Sequence, residues 1–337
     1  MPSDPTFDIA TLSEALRGRV VAVVGCTASG KSALAEALAR TFDAEIVSAD
    51  SMQIYRGMDI GTAKTPLAQR DVTYHCLDII DPGEPFSAAL FQQLSRAAIQ
   101  DINGRGKLAI VCGGTGFYVR AALDDMDFPA GEQLDNPVRQ QWSEYARAHG
   151  AQALHDLLAQ RDPESASVIH PNNVKRVVRA FELLEQGESY AKQARAFKGI
   201  PELLPACWMG ISVEPEVLYE RIDRRVDHMV SEGLFAEVES LLAEGFRQGL
   251  TAPQAIGYKE LVPVIDAGYG PDSPRFEDAI LAIKQASRRY AKRQRSWFKA
   301  ESRIHWIDDA THPSDEEKLV EAYRILEQWL EGSDRDE

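Results

Sequence analysis

The sequence predicts an α/β fold: a P-loop parallel-sheet core with a helical insertion domain. Three observations carry that prediction. Apolar runs alternate with helical patterns through the first third of the chain. The segment GCTASGKS (25–32) turns an apolar run into an amphipathic helix. Residues 125–200 then lose strand character, which returns at ACWMGISV (206–213).

The elements follow in order. RVVAVV (19–24) reads as a buried strand, and SALAEALART (32–41) as a helix with Leu34 and Leu38 on one face. AEIVSAD (44–50) is expected as the second strand and YHCLDII (74–80) as another. SAALFQQLSRAAIQDI (87–102) reads as a helix stopping at Asn103-Gly104. KLAIVCGG (107–114) reads as a strand ending in a glycine turn. From Asp124 to Pro137 the chain is loop-like, with Pro129 and Gly131, and Val138–Gln186 then reads as helices. The expected organisation is a first part of the core over 1–124, the insertion over 125–200 and a second part over 201–337. That second part holds a returning strand, helical patterns over 215–245, 253–267 and 276–300, and a last strand in RIHWID (303–308). A final helix is expected to fray in the acidic tail EGSDRDE.

A length of 337 residues exceeds most single cores, in keeping with an insertion. The early apolar run Val20–Val24 is too short to cross a bilayer, and the first residues carry acids where a secretory signal needs an apolar centre. Cys26, Cys76, Cys112 and Cys207 are too scattered for a metal clip or a disulfide framework. A cytoplasmic, membrane-free protein is expected, with a monomer as the default. The formal net charge of −15 argues against nucleic acid as a partner until its distribution is considered. AILAIKQASRRYAKRQRSWFKA (279–300) holds seven Lys and Arg and no acid. Such asymmetry points to a polyanionic partner.

The chemistry begins at Gly25-Cys26-Thr27-Ala28-Ser29-Gly30-Lys31-Ser32. Glycines at both ends of this loop let successive amides turn inward, and the following helix adds its positive end. Lys31 would reach phosphate oxygens, and Ser32 is the expected Mg²⁺ ligand. A diphosphate or triphosphate is therefore the expected ligand. Nucleotide kinases and hydrolases usually add a second strand ending in an acid, but KLAIVCGG ends in glycines. Asp78 and Asp81 could substitute or could be solvated loop residues. Asp50, just past the second strand, lies where open parallel sheets bind ligands and could be a catalytic carboxylate or a turn cap. Thr115, in GGTG, belongs to a turn at the same edge. Residues alone leave open a small-molecule kinase, a prenyl transferase acting on adenine nucleotides and a nucleic-acid-binding module.

Seven stretches together resemble the tRNA dimethylallyltransferases, or tRNA isopentenyl transferases, of bacterial type. They are GCTASGKS, SADSMQIYRGMDIGTAK (48–64), YHCLDIIDP (74–82), VCGGTGFYVRAAL (111–123), IHPNNVKRVVRAFE (169–182), QAIGYKEL (254–261) and AKRQRSWFK (291–299). The resemblance spans residues 19–310. Two departures are Cys26, where the family usually has proline, and Ser32, where threonine is common. The resemblance implies a loop that binds dimethylallyl diphosphate. It implies transfer of the five-carbon group to the exocyclic N6 amine of the adenine just 3′ of the anticodon, so the bond broken is carbon–oxygen. It implies Asp50 as the proton acceptor, Thr115 beside the base, and Arg225 clamping the diphosphate with Lys31. For the tRNA anticodon stem-loop it implies contacts from Asp50, Ser51, Met52 and Gln53 and from Thr115 and Arg139. Further contacts are implied for Lys175, Arg176, Val177, Val178 and Arg179, for Gln254, Ala255, Ile256, Gly257, Tyr258 and Lys259, and for Lys292, Arg293, Arg295 and Lys299.

Overall fold

The structure, a computed structural model, describes residues 7–128 and 136–333. Pro129 and Gly131 of the expected loop, and most of the acidic tail, lie outside the described residues. The chain divides into two compact units, one of residues 1–123 with 203–337 and one of residues 124–202.

The larger unit holds a six-stranded, all-parallel sheet. Its strands are β1 (Val20–Val24), β2 (Glu45–Ser48), β3 (Tyr74–His75), β4 (Ala109–Gly113), β5 (Ala206–Ser212) and β6 (His305–Asp308), in the spatial order β3-β2-β4-β1-β5-β6. Every residue of β1, β2 and β4 is buried, as expected of strands covered on both faces. Around them run α1 (Ile9–Ala15), α2 (Lys31–Phe42), α3 (Ala88–Gly104) and α4 (Gly116–Leu123). The smaller unit is helical: α5 (Pro137–His149), α6 (Ala151–Arg161), α7 (Pro163–Val168), α8 (Val174–Glu185) and α9 (Tyr190–Ala196). The larger unit resumes with α10 (Pro215–Ser231), α11 (Leu234–Ala243), α12 (Tyr258–Asp266), α13 (Pro274–Lys299) and α14 (Asp315–Ser333).

Four features depart from the sequence expectation. The strand expected over 74–80 stops at His75 because Cys76 and Asp78 take left-handed backbone conformations (φ 60° and 53°), which no strand accommodates. The segment 215–245 is two helices, separated at Gly233 (φ 100°). The helix expected from 253 starts at Tyr258, after a single 3₁₀ turn (Ala252–Gln254) and Gly257 (φ 100°). α1 and α4 were not expected. α4 follows the glycine turn within two residues, too little sequence for a periodic pattern to show.

The smaller unit has its own core. Trp142 and Phe181 stack with centroids 4.1 Å apart, over Leu154, Leu158, Ile169, Val177 and Val178. In the larger unit one core packs against a face of the sheet and another lies beside α10–α13 and includes Ile54, Met58, Leu241 and Tyr258.

Candidate active site

In an open parallel sheet, the loops at the carboxyl ends of the strands meet along one edge. Here β1 lies beside β4, and β4 beside β2. The three loops that follow, 25–30, 49–53 and 114–115, are brought together by that order alone. The first bends at Gly25 (φ 150°), Ala28 (φ 62°) and Gly30 (φ 95°) before α2 begins at Lys31. Lys31 Nζ folds back to the Cys26 carbonyl at 3.2 Å. Ser32 is exposed in the first turn of α2.

The loops after β2 and β4 are tied to each other. Ala49 N–H donates to the Cys112 carbonyl (2.8 Å) and Thr115 N–H to the Ala49 carbonyl (3.3 Å). Gly113 has no room for a Cβ, which would collide with the Ala49 backbone. Asp50 Oδ1 accepts the Met52 N–H at 2.9 Å, a short Asx-type turn that fixes the carboxylate. Thr115 Oγ1 accepts the Ser51 N–H at 3.3 Å.

These loops open onto a cavity of about 310 Å³ within the larger unit. Its walls include Thr27, Lys31 and Ser32, then Asp50, Ser51, Met52 and Gln53. Arg225 of α10, Gln254–Gly257, Lys259, and Tyr290, Arg293 and Gln294 of α13 complete the polar part. Ile46, Leu77, Ile222, Val226 and Met229 supply apolar surface. Four lining side chains are cationic (Lys31, Arg225, Lys259, Arg293) and one, Asp50, is acidic. A chain of net charge −15 thus lines this cavity with positive charge. Burial pushes both the Lys31 ammonium and the Arg225 guanidinium below their ordinary values, and the Asp50 charge acts in the opposite sense on each. Burial also pushes the Tyr290 hydroxyl up to about 12, with Asp50 adding to the shift. Such a site favours an anion that neutralises its cations.

The segment GMDIGTAK (57–64) forms another wall. Glu237 of α11 accepts the backbone N–H groups of Asp59 (2.9 Å), Ile60 (2.6 Å) and Gly61 (3.1 Å), and the Tyr258 hydroxyl (2.6 Å). Lys64, its side chain fully buried, bonds the Tyr55 carbonyl, Asp59 and Asp78. So held, the segment presents the Thr62 carbonyl to Gln53 Nε2 (3.2 Å) and Arg225 Nη2 (3.5 Å).

Val177, Val178 and Tyr258 need correction as ligand-facing side chains, and the other expected positions are placed in turn. Val177 and Val178 are buried in the core of the smaller unit, because they lie on the apolar stripe of α8, so their side chains do not face a ligand. Tyr258 is fully buried with its hydroxyl on Glu237, and it does not line the cavity. Thr115 stands behind Ser51, outside the lining. Asp78 is held by Lys64 (2.5 Å) and Arg70 (3.4 Å), and Asp81 by Arg56 (2.9 Å), so both serve loop structure. Lys292, Arg295 and Lys299 are exposed on α13, outside the cavity. In the smaller unit Lys175 and Arg176 are exposed, while Arg139 and Arg179 share the buried carboxylate of Glu182 (2.5 and 3.0 Å). Sequence reasoning missed Glu237, Lys64 and Gln294. The signal for Gln294 was a polar residue on the stripe Ala291, Gln294, Phe298, whose neighbours are apolar.

Among the described residues no group of three His, Cys, Asp or Glu could hold a metal ion. A cation here would take its oxygen ligands from Ser32 and from a bound diphosphate. That donor set suits Mg²⁺, which is commonly held by few protein groups together with substrate phosphates and water.

The family model described as IPP transferase matches residues 53–301. A tRNA dimethylallyltransferase of Geobacillus thermodenitrificans is 44% identical over 310 residues, covering 91% of this chain and 96% of that protein. The crystal structure of the full-length tRNA isopentenylpyrophosphate transferase from Bacillus halodurans superposes with a TM-score of 0.67. It is 39% identical, over 94% of this chain and 98% of that one. A eukaryotic dimethylallyltransferase, solved in snapshots acting on tRNA, superposes with a TM-score of 0.69. It is 28% identical, over 86% of this chain and 74% of the other.

Proposed function

This chain belongs to the IPP transferase family, and we propose that it is an enzyme transferring the dimethylallyl group from dimethylallyl diphosphate to N6 of the adenine immediately 3′ of the anticodon in tRNA. The observation that carries the reading is the cationic cavity with its single carboxylate. A P-loop stands on one side, Asp50 is the only acid among the described residues of the lining, and apolar side chains adjoin both.

The proposed reaction needs three things from the protein. The diphosphate would lie on the loop amides, with Lys31 and Arg225 neutralising the charge that develops as the carbon–oxygen bond breaks. A Mg²⁺ ion held by Ser32 and the diphosphate would add further neutralisation of the leaving pyrophosphate. The adenine amine is a weak nucleophile whose proton becomes acidic as nitrogen bonds to the allylic carbon. Asp50, anchored by the Met52 amide, would accept that proton. The apolar wall formed by Ile222, Val226 and Met229 suits a five-carbon chain.

The adenine must leave its stack to enter such a cavity, which costs less in a loop than in a duplex. Arg293 lies on the cavity wall and Arg295 on the exposed side of the same helix, which supports α13 as a surface for the anticodon stem-loop. No helix among the described residues is long and apolar enough to cross a membrane. A monomer acting in the cytosol, where tRNA matures, is the proposed setting.

The test is a transfer assay. The protein, Mg²⁺, dimethylallyl diphosphate and unmodified tRNA with adenine 3′ of the anticodon are incubated, and the digested nucleosides are weighed. The expected product is an adenosine heavier by one C₅H₈ unit. Unchanged nucleosides, with tRNA still bound, would overturn the assignment of the donor.

A further inference from the structure

Gln294 sits on the buried stripe of α13 and is 5% exposed. Its carboxamide has a partner at each end. Oε1 accepts the backbone N–H of Thr27, inside the P-loop, at 2.9 Å. Nε2 donates to the carbonyl of Gly114 at 2.9 Å. Gly114 precedes Thr115, whose hydroxyl takes the Ser51 amide next to Asp50. One side chain therefore joins the diphosphate cradle to the 114–115 turn, which is itself bonded to the loop that carries the acid. One turn earlier on the same helix, the Ala291 carbonyl faces Cys26 Sγ at 3.5 Å.

The chemistry of this bridge is specific. Thr27 supplies a donor and Gly114 an acceptor, so the bridging group must accept at one end and donate at the other. A carboxamide does both. Methionine has no donor and only a weak sulfur acceptor. An ionised carboxylate would set an oxygen against the Gly114 carbonyl, leaving two buried acceptors facing each other. Glycine at 114 makes the approach feasible, since a Cβ there would collide with the Gln294 side chain.

The geometry points to Gln294 as a positioning residue for the transfer proposed above. It fixes the separation between the donor's diphosphate and Asp50, and it makes that separation depend on the seating of α13, whose outer side carries Lys292, Arg295 and Lys299. Gln294 borders the cavity, but both ends of its carboxamide are taken by the Thr27 amide and the Gly114 carbonyl, and it acts through them. This inference rests on the proposed function.

The test compares wild type, Gln294→Met and Gln294→Glu, each with tRNA and dimethylallyl diphosphate. The methionine variant is expected to lose at least tenfold in kcat and to raise the KM for the diphosphate donor. Its Kd for tRNA should stay within twofold of wild type. The glutamate variant supplies a second readout. Burial favours the neutral acid, the Lys31, Arg293 and Arg295 charges nearby oppose it, and Tyr290 adjoins it; a protonated carboxyl restores both contacts, with O–H toward Gly114 and C=O toward Thr27. Its activity relative to wild type is therefore expected to rise severalfold from pH 8 to pH 5.5. A residue that only supported folding would give a flat ratio. If the methionine variant fails to fold, the glutamate pH profile decides. Wild-type kinetics in the methionine variant, or a flat ratio in the glutamate variant, would overturn this inference alone. Absence of transfer by the wild type would overturn the proposed function and this inference with it.

Discussion

Replacing Glu237 with leucine removes the group that folds the 57–64 wall. Four donors lose their acceptor: the amides of Asp59, Ile60 and Gly61 and the hydroxyl of Tyr258. The Asp59 amide is exposed and finds water, so it contributes little. The Ile60 and Gly61 amides are partly buried and Tyr258 is fully buried. A buried donor left unsatisfied costs about 1–3 kcal/mol. Three such groups at the low end give a loss of about 3 kcal/mol for this segment. In hydrogen exchange that is about a hundredfold loss of protection at residues 60 and 61. The Thr62 carbonyl would lose its fixed position, and Gln53 and Arg225 with it, so the donor KM should rise by about tenfold or more. Tyr258→Phe removes one of four bonds from a carboxylate that keeps three, and should cost only about 1 kcal/mol. Wild-type protection at residues 60 and 61 in the leucine variant would refute the role given to Glu237.

Three other outcomes are expected. Asp50→Ala should lower turnover by about a hundredfold or more with little change in tRNA affinity, as single-turnover assays and filter binding would show; near-normal turnover would remove Asp50 as the proton acceptor. Neutralising Arg293 and Arg295 together should weaken tRNA binding and reduce its salt slope by about 2, and an unchanged slope would mean that α13 faces elsewhere. Glu45 of β2 has its carboxyl lowered to about 2, chiefly by the Arg105 hydrogen bond, with burial opposing and His75 assisting. A depressed carboxylate stabilises the fold above its unfolded value near 4.5 and loses that contribution as the pH falls through 2. Glu45→Gln should therefore be less stable than wild type at pH 7, by at most about 3 kcal/mol, with less than half of that difference left at pH 3. A gap that does not narrow on acidification would disprove the linkage.

The core was legible because its signals are local and repeated. β1, the glycine loop and α2 follow one another within 23 residues, and each carries its own pattern. Asp50 was legible because a polar residue just past a buried strand must lie at the sheet edge. The 57–64 wall was not legible, since its fold depends on Glu237 from a helix more than 170 positions away. Cys76 and Asp78 hid the end of β3, because a cysteine does not announce a positive φ and an aspartate does so only weakly. The pattern KRVVR reads as one basic run, yet helical geometry separates it. Lys175 and Arg176 face solvent while Val177 and Val178 enter the core. Gln294 stands in a basic run as one polar residue among many, and its place on the stripe with Ala291 and Phe298 is the one mark that it turns inward.

In the proposed reaction this cradle releases pyrophosphate by breaking a carbon–oxygen bond. Dimethylallyl diphosphate carrying ¹⁸O in the bridging position, incubated with the protein and tRNA, tests it most directly. All of the label is expected to leave in pyrophosphate, and the modified adenosine is expected to carry none. Label recovered in dimethylallyl alcohol would mean that phosphorus–oxygen cleavage takes place at this site, and would contradict it.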